Sequence, residues 1–175
     1  MGLRTSFWGF AVLETAFRAA FIVRNTSDVP VNADVLPTYR VYGPAGLMAN
    51  GTGALAFKDT AALTGATNAS PIVITSAGHN LQTGMRVTIT GVVGNTAANT
   101  TATITVIGTN TFSLDGTIGN GVYVSGGIWN VSGLYDFVFT PAAANGFAAG
   151  TNYTVLVTAT VAATALGEVF AFTVT

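Results

Sequence analysis

The stretch that decides the fold is YTVLVTATV, residues Tyr153–Val161. Its apolar side chains recur at every second position, with threonine at most of the positions between them: Tyr153, Val155, Val157, Ala159 and Val161. Because successive side chains of an extended strand point to opposite faces, this spacing puts the apolar set on one side. The segment therefore predicts a β-strand that is buried on one face and exposed on the other.

Short segments of the same kind, rich in Val, Ile, Thr and aromatic residues, recur along the whole chain. The predicted strands are Ala19–Arg24, Thr38–Gly43, Pro71–Ser76, Arg86–Val92, Thr101–Gly108, Thr111–Gly116, Gly121–Gly127, Leu134–Thr140 and Val169–Thr175. Turn dipeptides punctuate them at Asn50-Gly51, Asn120-Gly121 and Asn145-Gly146, where asparagine and glycine supply positive φ at low cost. The sequence predicts an all-β protein.

A change of composition divides the chain into three segments. From Thr64 to Asn130 only Arg86 and Asp115 carry a formal charge, and threonine and glycine accumulate. Neither flank reaches the roughly one hundred residues of an immunoglobulin-like domain, but the two flanks together do. We therefore expect residues 1–63 and 131–175 to form one immunoglobulin-like β-sandwich. Residues 64–130 are expected to form a small β-barrel-like module inserted at an exposed hairpin tip.

The chain carries few charges for its length. Of 175 residues 7% are charged, the formal net charge is -1, and there is no cysteine. Globular proteins carry roughly a quarter charged residues, and small soluble domains usually keep a net charge that resists association. The composition favours a protein whose faces are covered by neighbouring subunits. An ordinary sandwich with a threonine-rich surface is the alternative.

The same composition argues against several partners. Nucleic-acid binding needs clustered cations, and the six here are scattered through the sequence. A transmembrane helix needs about twenty apolar residues, and Glu14, Arg18 and Arg24 interrupt the longest apolar runs. We therefore expect neither nucleic acid nor membrane as a partner.

One segment resembles a known module. Thr64–Trp129 contains the pattern Ala-Gly-His-x-Leu-x-x-Gly-x-x-Val, then a strand ending in glycine, then Asn-x-Phe-x-Leu-Asp-Gly and Tyr-x-Ser-Gly-Gly. The residues at these places are Ala77, Gly78, His79, Leu81, Gly84, Val87, Gly91, Asn110, Phe112, Leu114, Asp115, Gly116, Tyr123, Ser125, Gly126 and Gly127. The segment resembles a small β module of bacteriophage virion proteins that is similar to the first catalytic-cysteine half-domain of ubiquitin-activating enzymes. Met85 departs from the pattern, since an acidic residue is more usual there.

The flanks also resemble a phage module. Phe21–Gly46 together with Ala144–Val161 is similar to immunoglobulin-like sandwich modules of phage structural proteins, although the match is looser. The two resemblances imply a bacteriophage virion structural protein. We favour a capsid accessory or decoration (cement) protein. A tail or baseplate adaptor or fibre-associated protein is an alternative that the resemblance permits equally well.

The resemblance also implies partners and a location for the protein. The resemblance implies the major capsid protein or tail proteins of the same virion as partners, a homo-oligomer, and a virion assembled in the host cytoplasm. A binding module for a host glycan or receptor is a second alternative, with the loop Val92–Thr101 as its candidate surface. That loop has no aromatic residue to stack on a sugar, so we rank this alternative lower.

Catalytic, cofactor and metal sites are not expected. His79, the single histidine, has no nucleophile or carboxylate near it in sequence, so we interpret it as a structural part of its turn. Asp28, Asn32 and Asp34 lie in one loop, where we expect them to hydrogen-bond their own backbone. Two carboxylates fall short of the usual calcium cluster. The sequence predicts that the protein is not an enzyme.

The N-terminal arm is the candidate docking element. Phe7, Trp8 and Phe10 are bulky aromatics that precede the first predicted strand. Aromatic residues are enriched at interface cores, and tryptophan is a frequent anchor. We predict that these three residues dock the protein onto its particle. The alternative, compatible with docking, is that the arm forms an edge strand of the sandwich.

Overall fold

The structure is a computed structural model that describes residues 8–175, and β-strands make up nearly all of its regular structure. The strands are β1 (Trp8–Ala11), β2 (Phe17–Ile22), β3 (Thr38–Gly43), β4 (Gly46–Ala54), β5 (Ala56–Phe57), β6 (Thr60–Ala62), β7 (Gly65–Ala66), β8 (Ile72–Thr75), β9 (Arg86–Val93), β10 (Thr101–Gly108), β11 (Thr111–Leu114), β12 (Ser125–Val131), β13 (Leu134–Phe139), β14 (Asn152–Val161) and β15 (Thr164–Val174). Two 3-10 turns cover Thr96–Ala98 and Ala143–Asn145.

The chain divides into two compact units. The first contains the chain up to Lys58 together with Gly133–Thr175, and the second contains Asp59–Ser132. The composition placed these boundaries after residues 63 and 130. We call the second unit the insert.

The first unit is an immunoglobulin-like β-sandwich. Its larger sheet has the order β1-β15-β14-β3-β4, and its smaller sheet has the order β2-β13-β5. β1 pairs parallel with β15, whereas the other neighbours pair antiparallel. In an immunoglobulin-like sandwich, strands B, E and D form one sheet, and strands G, F and C form the other. The order observed here follows that arrangement, and the insert lies between the strands in positions D and E.

Aromatic side chains from the two sheets meet in the core of the sandwich. Phe17 and Phe21 of β2 lie 5.6 and 5.4 Å, between ring centroids, from Phe172 and Phe170 of β15. Phe137 of β13 lies edge-on to Phe170 at 5.6 Å. All five rings are buried. Each ring contributes about 1.5–3 kcal/mol through burial, so this layer is the main apolar contact between the sheets.

The segment Tyr153–Val161 forms most of β14, and its burial follows the predicted alternation. Along β14 the odd-numbered residues from Tyr153 to Val161 are buried, and the residues between them are exposed or half-buried. The Tyr153 hydroxyl accepts a hydrogen bond of 2.9 Å from the backbone N–H of Ala148, five residues upstream. A tyrosine near the start of strand F that bonds back to the chain before it is a hallmark of immunoglobulin-like sandwiches.

The insert is a curled sheet that closes into a small barrel. Its strand order is β6-β12-β9-β10-β11-β8-β7. The two end strands, β6 and β7, are consecutive in the chain, and the linker between them bonds to both sides. Leu63 N–H donates to Gly127 O in β12, and Thr64 N–H donates to Thr75 O in β8. The segment from Thr60 to Ala66 thus joins the two edges of the sheet, and a barrel of this kind leaves few open edges.

A buried hydrogen-bonded chain crosses the barrel interior. The indole N–H of Trp129 donates to Ser76 Oγ at 2.8 Å, and that hydroxyl donates to Ala62 O at 2.9 Å. Phe112 packs edge-on against the indole. Because both polar groups are satisfied, the interior accepts a tryptophan and a serine among aliphatic side chains without an unpaired donor.

Most predicted strands are confirmed, some with the same ends. β3 and β10 begin and end as predicted. The prediction Gly121–Gly127 is wrong before Ser125, because Asn95 Oδ1 accepts from Asn120 N–H and ties the following segment down as a loop. The turn at Asn145-Gly146 is confirmed, with φ of 85° at Gly146.

Strand β4 is the largest element that the sequence analysis missed. Gly46–Ala54 is rich in glycine and alanine, so its composition is poor for a strand. The Asn50-Gly51 dipeptide, predicted as a turn, instead lies inside β4, where the register with β3 shifts between Arg40 and Tyr42. Asn50 takes a φ of 53° at this irregularity. Pairing with β3 therefore overrides the weak local preference.

The glycine pair that ends the insert's pattern permits a close approach of two backbones. Gly126 has a φ of 73°, and a Cβ there would lie 2.6 Å from the carbonyl oxygen of Gly91 on β9. Gly116, in the Leu-Asp-Gly turn, has a similar φ of 74° but has open space around its Cβ position. Gly126 is required both because its φ is positive and because a Cβ would clash. Gly116 is required only because its φ is positive.

We expect Gly126→Ala to destabilise the insert by about 2 kcal/mol more than Gly116→Ala. Both variants place alanine at a positive φ, which costs about the same at each position, and only Gly126→Ala adds a clash. Urea denaturation of the two variants measures the difference. Equal midpoints for the two variants would show that the strands separate freely at this point.

Candidate functional site

His79 is held in its turn by the backbone and by a phenylalanine. Its Nδ1 accepts a hydrogen bond of 3.0 Å from Leu81 N–H, and its Nε2 lies 3.0 Å from Gly108 O. Since Nδ1 accepts, Nε2 carries the proton and donates to the carbonyl, so one neutral tautomer satisfies both bonds. The ring lies edge-on to Phe112 at 5.2 Å and is buried. The structural interpretation of His79 is confirmed.

In the loop that contains Asp28, Asn32 and Asp34, the side chains bind different parts of the sandwich. Asp34 accepts hydrogen bonds from Ala162 N–H (3.1 Å, Oδ1) and Ala163 N–H (2.9 Å, Oδ2), and Asn32 Oδ1 accepts from Gly133 N–H at 2.8 Å. The expectation that Asp34 binds its own loop is wrong, since both oxygens of its carboxylate accept from the turn at Ala162 and Ala163. Local sequence carries no signal for this contact, because Ala162 and Ala163 lie 128 and 129 residues from Asp34.

The other expected member of that loop stays local. Asp28 accepts from Arg24 Nη1 through its backbone carbonyl, and its carboxylate lies 3.9 Å from Arg24 Nε. The side chain that shapes the turn is Asn25, whose Oδ1 accepts from Ser27 N–H and Val29 N–H. Such a double acceptance is the usual role of asparagine in a turn.

Within residues 8–175, His, Cys, Asp and Glu side chains nowhere gather in a group of three or more suited to a metal ion. The helical segments in that range are two three-residue 3-10 turns, so no helix there has the length or hydropathy of a membrane span.

Two tyrosines have altered titration for structural reasons. Burial raises the pKa of Tyr39 and of Tyr135. At Tyr135 the N–H of Ala33 donates to the phenol oxygen at 2.8 Å and opposes part of that rise. Both rings pack in the sandwich core, so these shifts follow from packing.

The predicted docking residues fall at the start of the sandwich. Phe7 and the side chain of Trp8 lie outside the described residues. The backbone of Trp8 begins β1, which pairs with β15 at the edge of the larger sheet, so the edge-strand interpretation is confirmed for Trp8–Ala11. Phe10 is 75% exposed.

Phe10 belongs to a larger apolar surface. The face of the larger sheet that points away from the smaller sheet carries side chains of Phe10, Leu47, Leu156, Val169 and Ala171, which we call the outer face. Phe10, Leu47 and Val169 are exposed, and the other two are half-buried. The strand register makes Ala171 opposite Thr154, and Leu156 opposite Val169, so these residues are cross-strand neighbours.

The outer face continues at one end into a depression of about 450 Å³. Leu47, Met48 and Tyr153 line it together with the turn around Gly146. No charged side chain lines the depression, so this end of the sheet is also apolar.

The sequence analysis found one member of the outer face, Phe10, and missed the rest. For Val169 the sequence contains a signal. Phe170 and Phe172 are large apolar residues at alternate positions and are expected to face the core, so Val169, which precedes them, is expected on the opposite face. For Leu47 no signal existed, since β4 itself was not predicted.

The insert exposes a second apolar group at one end. Val93, Val122 and Val124 are all more than half exposed, and Val124 N–H donates to Val93 O at 2.9 Å, which joins the end of β9 to the segment before β12.

The loop Val92–Thr101 uses its own amide side chains internally. Asn99 accepts from Val92 N–H and donates to Val92 O, at 2.8 and 2.9 Å. Asn95 donates to Thr67 O at 2.8 Å and accepts from Asn120 N–H at 3.1 Å. These four bonds engage both ends of each amide in shaping the loop.

The fold defines the class: an all-β protein in which an immunoglobulin-like sandwich carries a small barrel. Residues 70–131 match the family described as the ubiquitin-activating enzyme E1 FCCH domain, a β-rich and non-catalytic domain of those enzymes. The match confirms the similarity of the insert to the FCCH domain and lies within the second unit. No curated protein matches the chain. The chain contains no cysteine, so it forms no cysteine thioester.

We expect His79→Gln to lower the stability of the insert by about 1–2 kcal/mol, because one backbone donor or acceptor loses its buried partner. Thermal unfolding followed by circular dichroism measures this loss. Gln82→Ala, a change of an exposed side chain in the same turn, is the matched control and should leave the midpoint unchanged. An unchanged midpoint for His79→Gln would contradict the structural role.

The turn between β14 and β15 places two alanines in the left-handed region of backbone conformation. Its two turn residues, Ala162 and Ala163, have φ of 48° and 61°, a conformation that is costly for alanine. We expect Ala163→Gly to raise the free energy of unfolding by about 1 kcal/mol. Ala149→Gly, at an exposed position without positive φ, should instead lower it slightly. Urea denaturation measures whether the free energy of unfolding rises in Ala163→Gly and falls in Ala149→Gly, and a fall in both variants would contradict the strain at Ala163.

Proposed function

We propose that this chain is a structural protein of a bacteriophage particle, an accessory or decoration protein of the capsid that acts by packing against neighbouring subunits. The partners under this proposal are the major capsid protein and further copies of the chain. Its residues supply contact surface, and no step of chemistry is assigned to them.

The observation that carries the proposal is the outer face. Phe10 on the edge strand β1 and Val169 on the neighbouring strand β15 have most of their side chains exposed, and Arg40 is the one charged side chain that the strand pairing brings onto the described part of this face. Monomeric soluble proteins rarely leave a contiguous apolar surface uncovered, and interface cores are depleted in charge. A face of this kind is suited to burial against another protein.

The low overall charge supports the same conclusion. A protein with 7% charged residues has little repulsion to keep copies apart. In a particle, where each face meets a fixed neighbour, that property favours assembly.

The resemblance of the insert to a module of phage virion proteins supports the viral setting. A tail or baseplate adaptor remains the alternative within the same class. The two differ in copy number, since a capsid protein repeats over a shell and an adaptor forms a small ring.

The glycan-binding alternative receives less support. Sugar recognition needs free polar groups beside an aromatic platform, whereas the amides of Asn95 and Asn99 already bind the chain itself. The loop also contains no aromatic residue.

We expect Phe10→Thr to reduce incorporation into particles roughly tenfold, because truncating an aromatic anchor at an interface typically costs more than 1 kcal/mol. Threonine keeps the strand preference of β1. The measurement is the number of copies per purified virion, by quantitative mass spectrometry and electron microscopy. Val35→Thr, which changes an equally exposed apolar residue in a loop of the sandwich, is the matched control.

Equal incorporation of both variants would reject the outer face as the contact. Recovery of the wild-type protein free of any particle would reject the virion assignment itself. Removal of Met1–Phe7, which leaves β1 whole, tests Phe7: we expect fewer copies per virion, and unchanged incorporation would reject Phe7 as a docking residue.

A further inference from the structure

We propose that β1 is exchanged between copies of this chain: β1 of one copy leaves its own β15 and pairs with β15 of a second copy. The partner that this edge of the sandwich fits is therefore another molecule of the same sequence. The inference deepens the proposed function and rests on it, because a particle is what brings many copies together.

The position that β1 occupies is equally suited to β1 of another copy. Among the described strands β1 pairs with β15 alone, and the pairing covers four residues of each strand, ending with Ala11 opposite Val174. Beyond the last pair, Thr175 N–H donates to Ala11 O at 2.9 Å. Every copy presents the same backbone groups, so an exchanged β1 restores each of these bonds. Such identity of contacts makes strand exchange a low-cost route to a dimer.

The described side chains of β1 add little volume to the core. Ala11 is buried, whereas Phe10 is exposed on the outer face. Ala11 places one methyl group on the core side, so no large side chain is withdrawn from the core at that position when β1 leaves. At these two positions, exchange requires no repacking of the aromatic core.

The link between β1 and β2 is short and strained. Residues 12–16, which we call the hinge, contain a tight turn in which Thr15 N–H donates to Val12 O at 3.0 Å. Glu14, the third residue of this turn, has a φ of 61°. A turn with positive φ at that position normally has glycine or asparagine there, because other side chains are strained. An extended hinge returns Glu14 to an ordinary negative φ, and short strained hinges favour exchange.

Two hydrogen bonds hold Glu14 in the closed turn. Its N–H donates to Pro141 O at 2.9 Å, and its Oε1 accepts from Ala143 N–H at 2.7 Å. Glu14 is exposed, so water replaces both partners of the glutamate when the hinge opens, and the net loss is small. The balance between the closed monomer and the exchanged dimer then depends on the concentration of copies, which a particle raises locally.

The first test uses a disulfide that reports which chain supplies β1. The chain has no cysteine, and the register places Phe10 opposite Thr173, so Phe10→Cys and Thr173→Cys in one chain are within reach of a disulfide. The full-length double variant is unfolded in urea, refolded under reducing conditions at low or at high protein concentration, oxidised, and analysed on a denaturing gel without reductant. We expect monomers with an internal disulfide after refolding at low concentration and covalent dimers after refolding at high concentration.

Peptide mass spectrometry of the dimer band identifies the linked positions. The expected dimers contain the linkage between positions 10 and 173. Val35→Cys combined with Thr173→Cys is the matched control, because Val35 is similarly exposed but lies in a loop outside β1. The control should give no more dimer at high concentration than at low concentration.

The second test separates the strain at Glu14 from its hydrogen bond. Glu14→Ala and Glu14→Gly both remove the carboxylate that binds Ala143, and only glycine accepts the positive φ without strain. Each change is added to the double-cysteine variant. At equal protein concentration Glu14→Ala should give roughly fivefold more covalent dimer than Glu14→Gly, because alanine keeps the strain in the closed turn.

Internal disulfides alone at every concentration would overturn the exchange. Dimers linked at other positions, concentration-dependent dimers in the Val35 control, or equal dimer yields from the two hinge variants would overturn it as well. Should the double variant fail to fold, Trp8→Cys with Ala171→Cys is the second pair on the same face.

These results are distinguishable from those that test the proposed function. A chain that exchanges β1 but is absent from virions rejects that function alone. A virion protein that forms only internal disulfides rejects the exchange alone.

Discussion

The structure depends on closure of backbone hydrogen bonds at the point where the insert interrupts the sandwich. On the sandwich side, β5 pairs with β13, and Lys58 N–H donates to Leu134 O at 3.2 Å. On the insert side, Val131 N–H donates to Asp59 O at 3.0 Å. Each unit therefore pairs its own strands up to the boundary, and no sheet takes strands from both units.

The pattern that makes the insert recognisable specifies backbone geometry and packing. His79 fixes a turn to the strand opposite, Phe112 supports the histidine ring and the buried indole, and Gly126 lets two backbones meet. Each of these residues is explained by a contact within the barrel. A similarity built on such residues indicates a shared fold, while the function of each member depends on its surface.

The surfaces of the two units differ in what they offer a partner. The outer face of the sandwich offers apolar side chains on a rigid sheet, which favours broad packing. The barrel exposes the three valines Val93, Val122 and Val124 at one end.

The sequence by itself determined the class of fold and the division of the chain. Alternation in segments such as Tyr153–Val161 requires strands with one buried face, because the two-residue period is a property of the extended backbone. The lack of a nearby partner for His79 in sequence also predicted its structural role. Tertiary structure alone decided three things. Pairing with β3 made a strand of Gly46–Ala54, the carboxylate of Asp34 bound the turn at Ala162, and strand register placed Leu156 opposite Val169 on the outer face. These depend on contacts between residues far apart in the chain, and local preference carries no information about such contacts.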